Sequence, residues 1–128
     1  MTRGLDDASV RLVELKVATR SQAGQAVMAI YGEIDLYTAP RLQAEFTRVL
    51  ETGPDRVVID MSGVEFCDST GMNVLLSALK RLRERGGTLE VAAPRPAVRK
   101  ILQVTGLDSV FTVYDAVPAD VLAADQQG

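Results

Sequence analysis

The sequence predicts an α/β fold: one domain with a mixed, mostly parallel sheet, an N-terminal antiparallel hairpin, and helices packed mainly on one face. Three observations carry this prediction. The chain has 128 residues, the length of a single domain and enough to bury a core without metals or disulfides. After an opening pair of strand-like segments, β-branched runs alternate with helical patterns, the order that produces right-handed crossovers and parallel strands. The run Val57-Val58-Ile59 is apolar without alternation, as in a central strand covered on both faces.

The elements follow in order. Residues 1–9 read as a flexible leader, and the domain is expected over 10–124. Val10 to Thr19 alternates partly, with Leu12, Val13, Leu15 and Val17 among polar residues, and predicts a strand. Ser21-Gln22-Ala23-Gly24 is a turn, and Gln25 to Tyr31 a second strand, so the two form a hairpin. Thr38 is placed as the N-cap of a helix with Pro40 in its first turn. That helix runs to about Glu51, puts Leu42, Phe46, Val49 and Leu50 on one face, and ends at Gly53-Pro54.

Arg56 to Asp60 is the central strand, followed by a loop from Val64 to Ser69. A second helix, from about Thr70 to Arg85, carries Met72, Leu75, Leu76, Leu79 and Leu82 at helical spacing. Met72 opens this stripe and reads as core. Gly86-Gly87 stops the helix, and Thr88 to Ala92 is a strand. Pro94 and Pro96 frame a loop and open a third helix with Val98, Ile101 and Leu102 inward. Gly106 reads as its C′ residue with Leu107 packing back. Val110 to Val113 is a last strand, Ala116 to Ala124 a terminal helix, and residues 125–128 a flexible tail.

Composition excludes several functions. The chain has no histidine, which removes Ser-His-Asp and Cys-His catalysis and the commonest zinc ligand. No catalytic residues, metal site or cofactor are expected. Cys67 is the only cysteine, so no internal disulfide forms and a reducing compartment fits. The net charge is −3. Clustered positive charge, which a grip on nucleic acid needs, is limited to Lys80, Arg81, Arg83 and Arg85. That group reads as a solvated helix face, so no direct contact with nucleic acid is expected. No stretch reaches the roughly 18 apolar residues of a membrane span, and the start lacks the apolar segment of a signal peptide. A cytoplasmic protein without membrane insertion is the simplest reading.

The informative segment is Val64-Glu65-Phe66-Cys67-Asp68-Ser69-Thr70-Gly71-Met72. It places a hydroxyl beside an acid where a strand hands over to a helix. The first N–H groups of a helix lack internal partners, and the helix dipole adds partial positive charge there. Ser69 therefore sits where a phosphoryl group would be accommodated, and the segment reads as a phosphorylation switch on a protein-binding domain. The plainer reading is a helix cap, for which Asp, Ser and Thr are the favoured residues. Gly71 allows close approach of a partner or of the neighbouring loop.

Three segments in order resemble the STAS family, and within it the bacterial anti-sigma factor antagonists of the SpoIIAA and RsbV kind. They are Gly32-Glu33-Ile34-Asp35 with Thr38-Ala39, then Phe66-Cys67-Asp68-Ser69-Thr70-Gly71-Met72, then Gly86-Gly87 with Pro96-Ala97-Val98-Arg99 and Thr105-Gly106-Leu107. The resemblance implies a STAS domain that is not an enzyme. Its unphosphorylated form would bind an anti-sigma factor that is also a serine kinase and so release a sigma factor. Phosphorylation would end the binding, and a phosphoserine phosphatase would reset it. By position the phosphoacceptor is Ser69, with Thr70 the second choice, and Asp35 and Asp68 flank it. Asp35, Asp68, Ser69, Thr70, Gly71 and Asn73 are the implied partner-binding residues. Cys67 stands where the family carries another apolar residue, often methionine, and reads as a neutral exchange.

Two other functions compete. An aspartic protease turn resembles Asp68-Ser69-Thr70-Gly71 with one residue too many, and no second such carboxylate motif exists; a nucleotide-binding loop is also missing. A STAS adaptor in a lipid-transport, transporter-associated or stress-signalling assembly would need no phospho-switch.

Overall fold

A computed structural model describes residues 15–121. The predicted leader, the Val10–Glu14 part of the first strand, the last three residues of the terminal helix (122–124) and the tail lie outside them; within them that helix begins at Ala119, after Pro118, rather than at Ala116. Strand β1 (Lys16–Gln22) turns into β2 (Gln25–Ile34) through Ala23 and Gly24 alone. Both turn residues have positive φ, 56° and 80°, the backbone of a two-residue hairpin whose twist matches its strands. The turn is thus two residues, not the four read from composition. Helix α1 (Ala39–Glu51), strand β3 (Arg56–Cys67), helix α2 (Ser69–Arg83), strand β4 (Thr88–Ala92), helix α3 (Pro96–Val104) and strand β5 (Thr112–Tyr114) follow.

The sheet order is β1-β2-β3-β4-β5. The β1–β2 pair is antiparallel and the other three pairs are parallel. Helices α1, α2 and α3 all send their buried residues into one core against the same sheet face. Leu42 and Phe46, Leu75 and Leu82, and Val98 and Leu102 meet Met28, Ile30, Val57, Ile59, Leu89 and Val91 there. Met72 joins that core, as its place in the stripe predicts. A fully buried side chain of the size of Phe46 or Leu42 contributes about 1.5–3 kcal/mol, so this layer supplies most of the driving force.

The opposite face of the sheet is covered differently. Val27, Val58 and Ala92 form a small second cluster, capped by Val117 and Val121 from the end of the described chain. Beside them lies a polar group centred on Glu90, the one buried charged residue among those described, 7% exposed. Arg56 donates to it from Nε and Nη2, Thr88 from its hydroxyl and Tyr114 from its phenol, at 2.8–3.1 Å. Arg56 Nη1 also reaches Asp120 at 2.8 Å, tying the last described turn to the sheet.

Several predicted boundaries move, the hairpin strands running on to Gln22 and Ile34 among them, and three of the moves have a visible physical reason. Strand β3 runs on to Cys67 instead of stopping at Asp60. Its pairing with β2 slips by one residue twice, so that Ala29 faces Asp60 but Tyr31 faces Gly63, and Gly32 faces Val64 but Glu33 faces Phe66. Each slip inserts an extra residue, a β-bulge. Met61, Val64 and Cys67 consequently all point inward at a spacing of three, a period that does not read as a strand. Helix α2 ends at Arg83 rather than Arg85; Arg81, Arg83 and Arg85 then hydrogen-bond Thr47 and the carbonyls of Val110 and Pro54. The last strand shifts to Thr112–Tyr114 because Leu107–Ser109 first forms a 3₁₀ turn. Gly106 has the left-handed φ of 78° expected of a residue just past a helix end.

Candidate functional site

β2 and β3 are the strands that deliver the site. Ile34 faces Cys67 in register, so Asp35 and Asp68 leave the sheet side by side. The Asp68 N–H donates to the Ile34 carbonyl at 3.0 Å, joining the two exits. Each acid then builds a turn of its own.

Asp35 organises the β2–α1 turn. Its Oδ1 accepts from the N–H groups of Tyr37 and Thr38 at 2.9 and 3.0 Å. The Thr38 hydroxyl accepts from the Asp35 N–H and donates to the Glu33 carbonyl, at 2.9 and 2.8 Å. Thr38 therefore does not cap α1 with its side chain, as its sequence position predicts; its hydroxyl is turned back into the loop. The Asp35 carbonyl instead receives the Ala39 N–H at 2.8 Å.

Asp68 is the N-cap of α2. Its backbone is extended and its Oδ1 accepts from the Gly71 N–H at 3.0 Å, which satisfies one of the helix's open donors. Ser69 is consequently the first helical residue. It is exposed, whereas Thr70 is half-buried toward α1. Asn73 stands one turn further along, exposed as Ser69 is. No acid follows the cap in the first turn of α2, and Lys80, Arg81 and Arg83 lie in its last turn, an arrangement that agrees with the helix dipole.

Gly71 is buried beneath the site. A Cβ there would lie 2.5 Å from Ile34 Cγ2 and 2.7 Å from Cys67 Sγ, so the close approach at this glycine is made by the chain's own strand ends. Gly71→Ala should cost about 1–3 kcal/mol through overpacking, while Ser69→Ala should change stability by less than about 0.5 kcal/mol; urea unfolding of both variants checks this. Cys67 lies in the same packing. Burial, with a smaller push from Asp68, raises its thiol to about 12, so it stays a neutral apolar side chain.

The site carries a feature that motif reading missed. Leu36 is 64% and Tyr37 87% exposed at the Asp35 turn, and Phe66 is 43% exposed before Cys67. Leu36, Ala39, Pro40, Gln43, Thr70 and Val74 line an open groove of about 270 Å³ between the starts of α1 and α2. The available signal was large apolar residues next to acids in segments that no helical or strand period required.

Sequence and structure comparisons place the domain in a family. The STAS domain profile matches residues 16–119, and the chain belongs to the STAS family. Over 103 residues it is 31% identical to the anti-sigma-F factor antagonist RsfB of Mycobacterium tuberculosis, covering 80% of this chain and 84% of that protein. The crystal structure of an anti-sigma factor antagonist from Mycobacterium paratuberculosis matches with a TM-score of 0.76 at 34% identity, covering 87% of this chain and 93% of that one. The Bacillus cell fate determinant SpoIIAA in its phosphorylated form shares the fold at 20% identity and a TM-score of 0.64, over 88% of this chain and 100% of that one. No helix among the described residues is long and apolar enough to cross a membrane.

Proposed function

We propose that this chain is an anti-sigma factor antagonist with a phospho-switch at Ser69. In its unphosphorylated form it binds an anti-sigma factor that is also a serine kinase, and the sigma factor is released. The kinase then phosphorylates Ser69 and the complex separates. A phosphoserine phosphatase hydrolyses the ester and restores the binding form. The setting is the cytoplasm, where ATP and sigma factors are found. The observation that carries this reading is an exposed serine at the first position of α2, held by the Asp68 cap beside the Asp35 turn.

In the transfer step the Ser69 oxygen bonds to the γ-phosphorus of ATP and the bond from that phosphorus to ADP breaks. The hydroxyl proton passes to a base of the kinase; on this chain the neighbouring Asp68 carboxylate is engaged in capping the Gly71 N–H. The chain contributes presentation. The cap and the two tied turns fix the hydroxyl on a rigid helix end, which lowers the entropy cost of docking. Asp35, Asp68, Thr70 and Asn73 form the surrounding contact surface, and Gly71 shapes it from beneath.

The test is capture from lysate of the source cells with wild type, Ser69→Ala and Ser69→Asp as baits, identified by mass spectrometry. Wild type and Ser69→Ala should retain an ATP-dependent serine kinase that Ser69→Asp does not. Equal capture of one non-kinase protein by all three would reduce Ser69 to a helix residue and overturn the switch.

A further inference from the structure

We infer that the groove between α1 and α2, lined by Leu36 with the exposed Tyr37 next to it in the chain, is the specificity pocket for the kinase. Its occupant is an apolar side chain of the kinase set in a basic rim. This inference rests on the switch reading and adds what the partner must look like.

Two observations argue for that occupant. The first is charge. Segments 31–38 and 62–73 contain four carboxylates, Glu33, Asp35, Glu65 and Asp68, and no lysine or arginine. None of the four joins a salt bridge among the described residues. Arg95 donates to the Ser62 carbonyl at 2.8 Å at the far end of the second segment, so the four carboxylates leave a net acidic edge, and a protein that brings ATP to Ser69 adds further negative charge. Close approach requires cations from the partner around the contact. Those cations are matched to the carboxylates already present, so they leave a new phosphoserine dianion unneutralised.

The second observation is preorganisation. Leu36 and Tyr37 are not loosely exposed. The N–H of Tyr37 is held by Asp35, whose own N–H is held by Thr38. The turn keeps two large apolar side chains in water, which is unfavourable unless a partner covers them. Leu36, Ala39, Pro40 and Val74 give the groove an apolar lining, and Thr70, also in the lining, directly follows Ser69. A side chain seated there is next to the phosphoacceptor. Asp35 thus has a positioning role as well: Oδ1 of its carboxylate holds the turn that presents Leu36 and Tyr37.

The test uses the kinase recovered with the Ser69→Ala bait, purified, with ATP and full-length substrate variants. Leu36→Ser should raise KM for this protein by about tenfold, the loss expected when one leucine side chain no longer becomes buried, and leave kcat within about twofold. Leu36→Met should restore most of the KM. Raising salt should raise KM for wild type and Leu36→Ser alike, as an acidic edge facing a basic rim requires. If wild type is phosphorylated and Leu36→Ser performs equally well, the pocket is refuted while the switch stands. If wild type is neither bound nor phosphorylated, the switch falls and the pocket with it.

Discussion

Arg56→Met should destabilise the protein by about 3 kcal/mol and remove part of its pH dependence. Glu90 is nearly fully buried, and Arg56 supplies its only charged partner among the described residues. Removing one member of a buried pair costs about 3–5 kcal/mol because the other charge is left without compensation. Here Thr88 and Tyr114 still donate to Glu90, which favours the lower end of that range. Methionine keeps the stem packing, so the loss reports the charge. In the wild type, burial pushes the Glu90 carboxyl up. Hydrogen bonds from Arg56, Thr88 and Tyr114, with the Arg56 charge, outweigh it and hold the group below the ordinary glutamate range.

A depressed carboxyl contributes stability that is present above its unfolded value, about 4.3, and lost as pH falls through its folded one. Without the hydrogen bonds and charge of Arg56 the carboxyl rises from its wild-type position. The variant should then gain stability relative to wild type as pH falls from 7 toward 4. Thermal unfolding across that range checks the sign. Arg56→Met with Glu90→Leu should recover most of the loss; a double variant no better than the single one would place the cost elsewhere.

Phosphorylation of Ser69 should weaken kinase binding by roughly a thousandfold and leave the fold unchanged. A phosphoserine adds about −1.5 to −2 charges. On the free protein it meets the open end of α2, worth about 0.3–1 kcal/mol and up to about 2 in a favourable geometry. Asp68 opposes it by about 1.4 kcal/mol at ~6 Å in water-like surroundings. These contributions nearly cancel. At a closed contact the dianion loses its water, and a penalty of about 4 kcal/mol corresponds to the thousandfold loss. Titration of the purified kinase with both forms measures the affinity. Amide exchange should change only near residues 33–38 and 66–74; widespread changes would mean that the switch works by refolding.

Much of the architecture was legible because it follows from period and punctuation. The stripe of α2, the stop at Gly86-Gly87, Pro96 at the start of α3 and Gly106 at its end each have a local cause. The extension of β3 had none: two bulges turn its inward residues from every second to every third, and that depends on the register of β2. Thr38 misled for a related reason. Its hydroxyl could serve the helix behind it or the loop before it, and Asp35, three residues earlier, decides between them. At the site, the acids and Ser69 stood out because an acid and a hydroxyl where a strand hands over to a helix suit a cap or an anion, and because the surrounding segments resemble the STAS family. The groove between α1 and α2 did not, since it exists only once two helices separated by a strand lie side by side. The Arg56–Glu90 pair, 34 residues apart in the chain, is invisible to local reading in the same way.

Among the described residues, the strand order along the sheet is also the strand order along the chain. No described strand has to wait for a partner made much later in synthesis. The hairpin closes through two residues, and each later strand adds to an edge already in place after one intervening helix. The entropy of loop closure is thereby met in short instalments, which favours rapid folding. Such a chain can assemble progressively from its N-terminal side as it leaves the ribosome. The Ser69 loop then takes shape only when β3 has joined β2, so an incomplete chain would present no switch to a kinase.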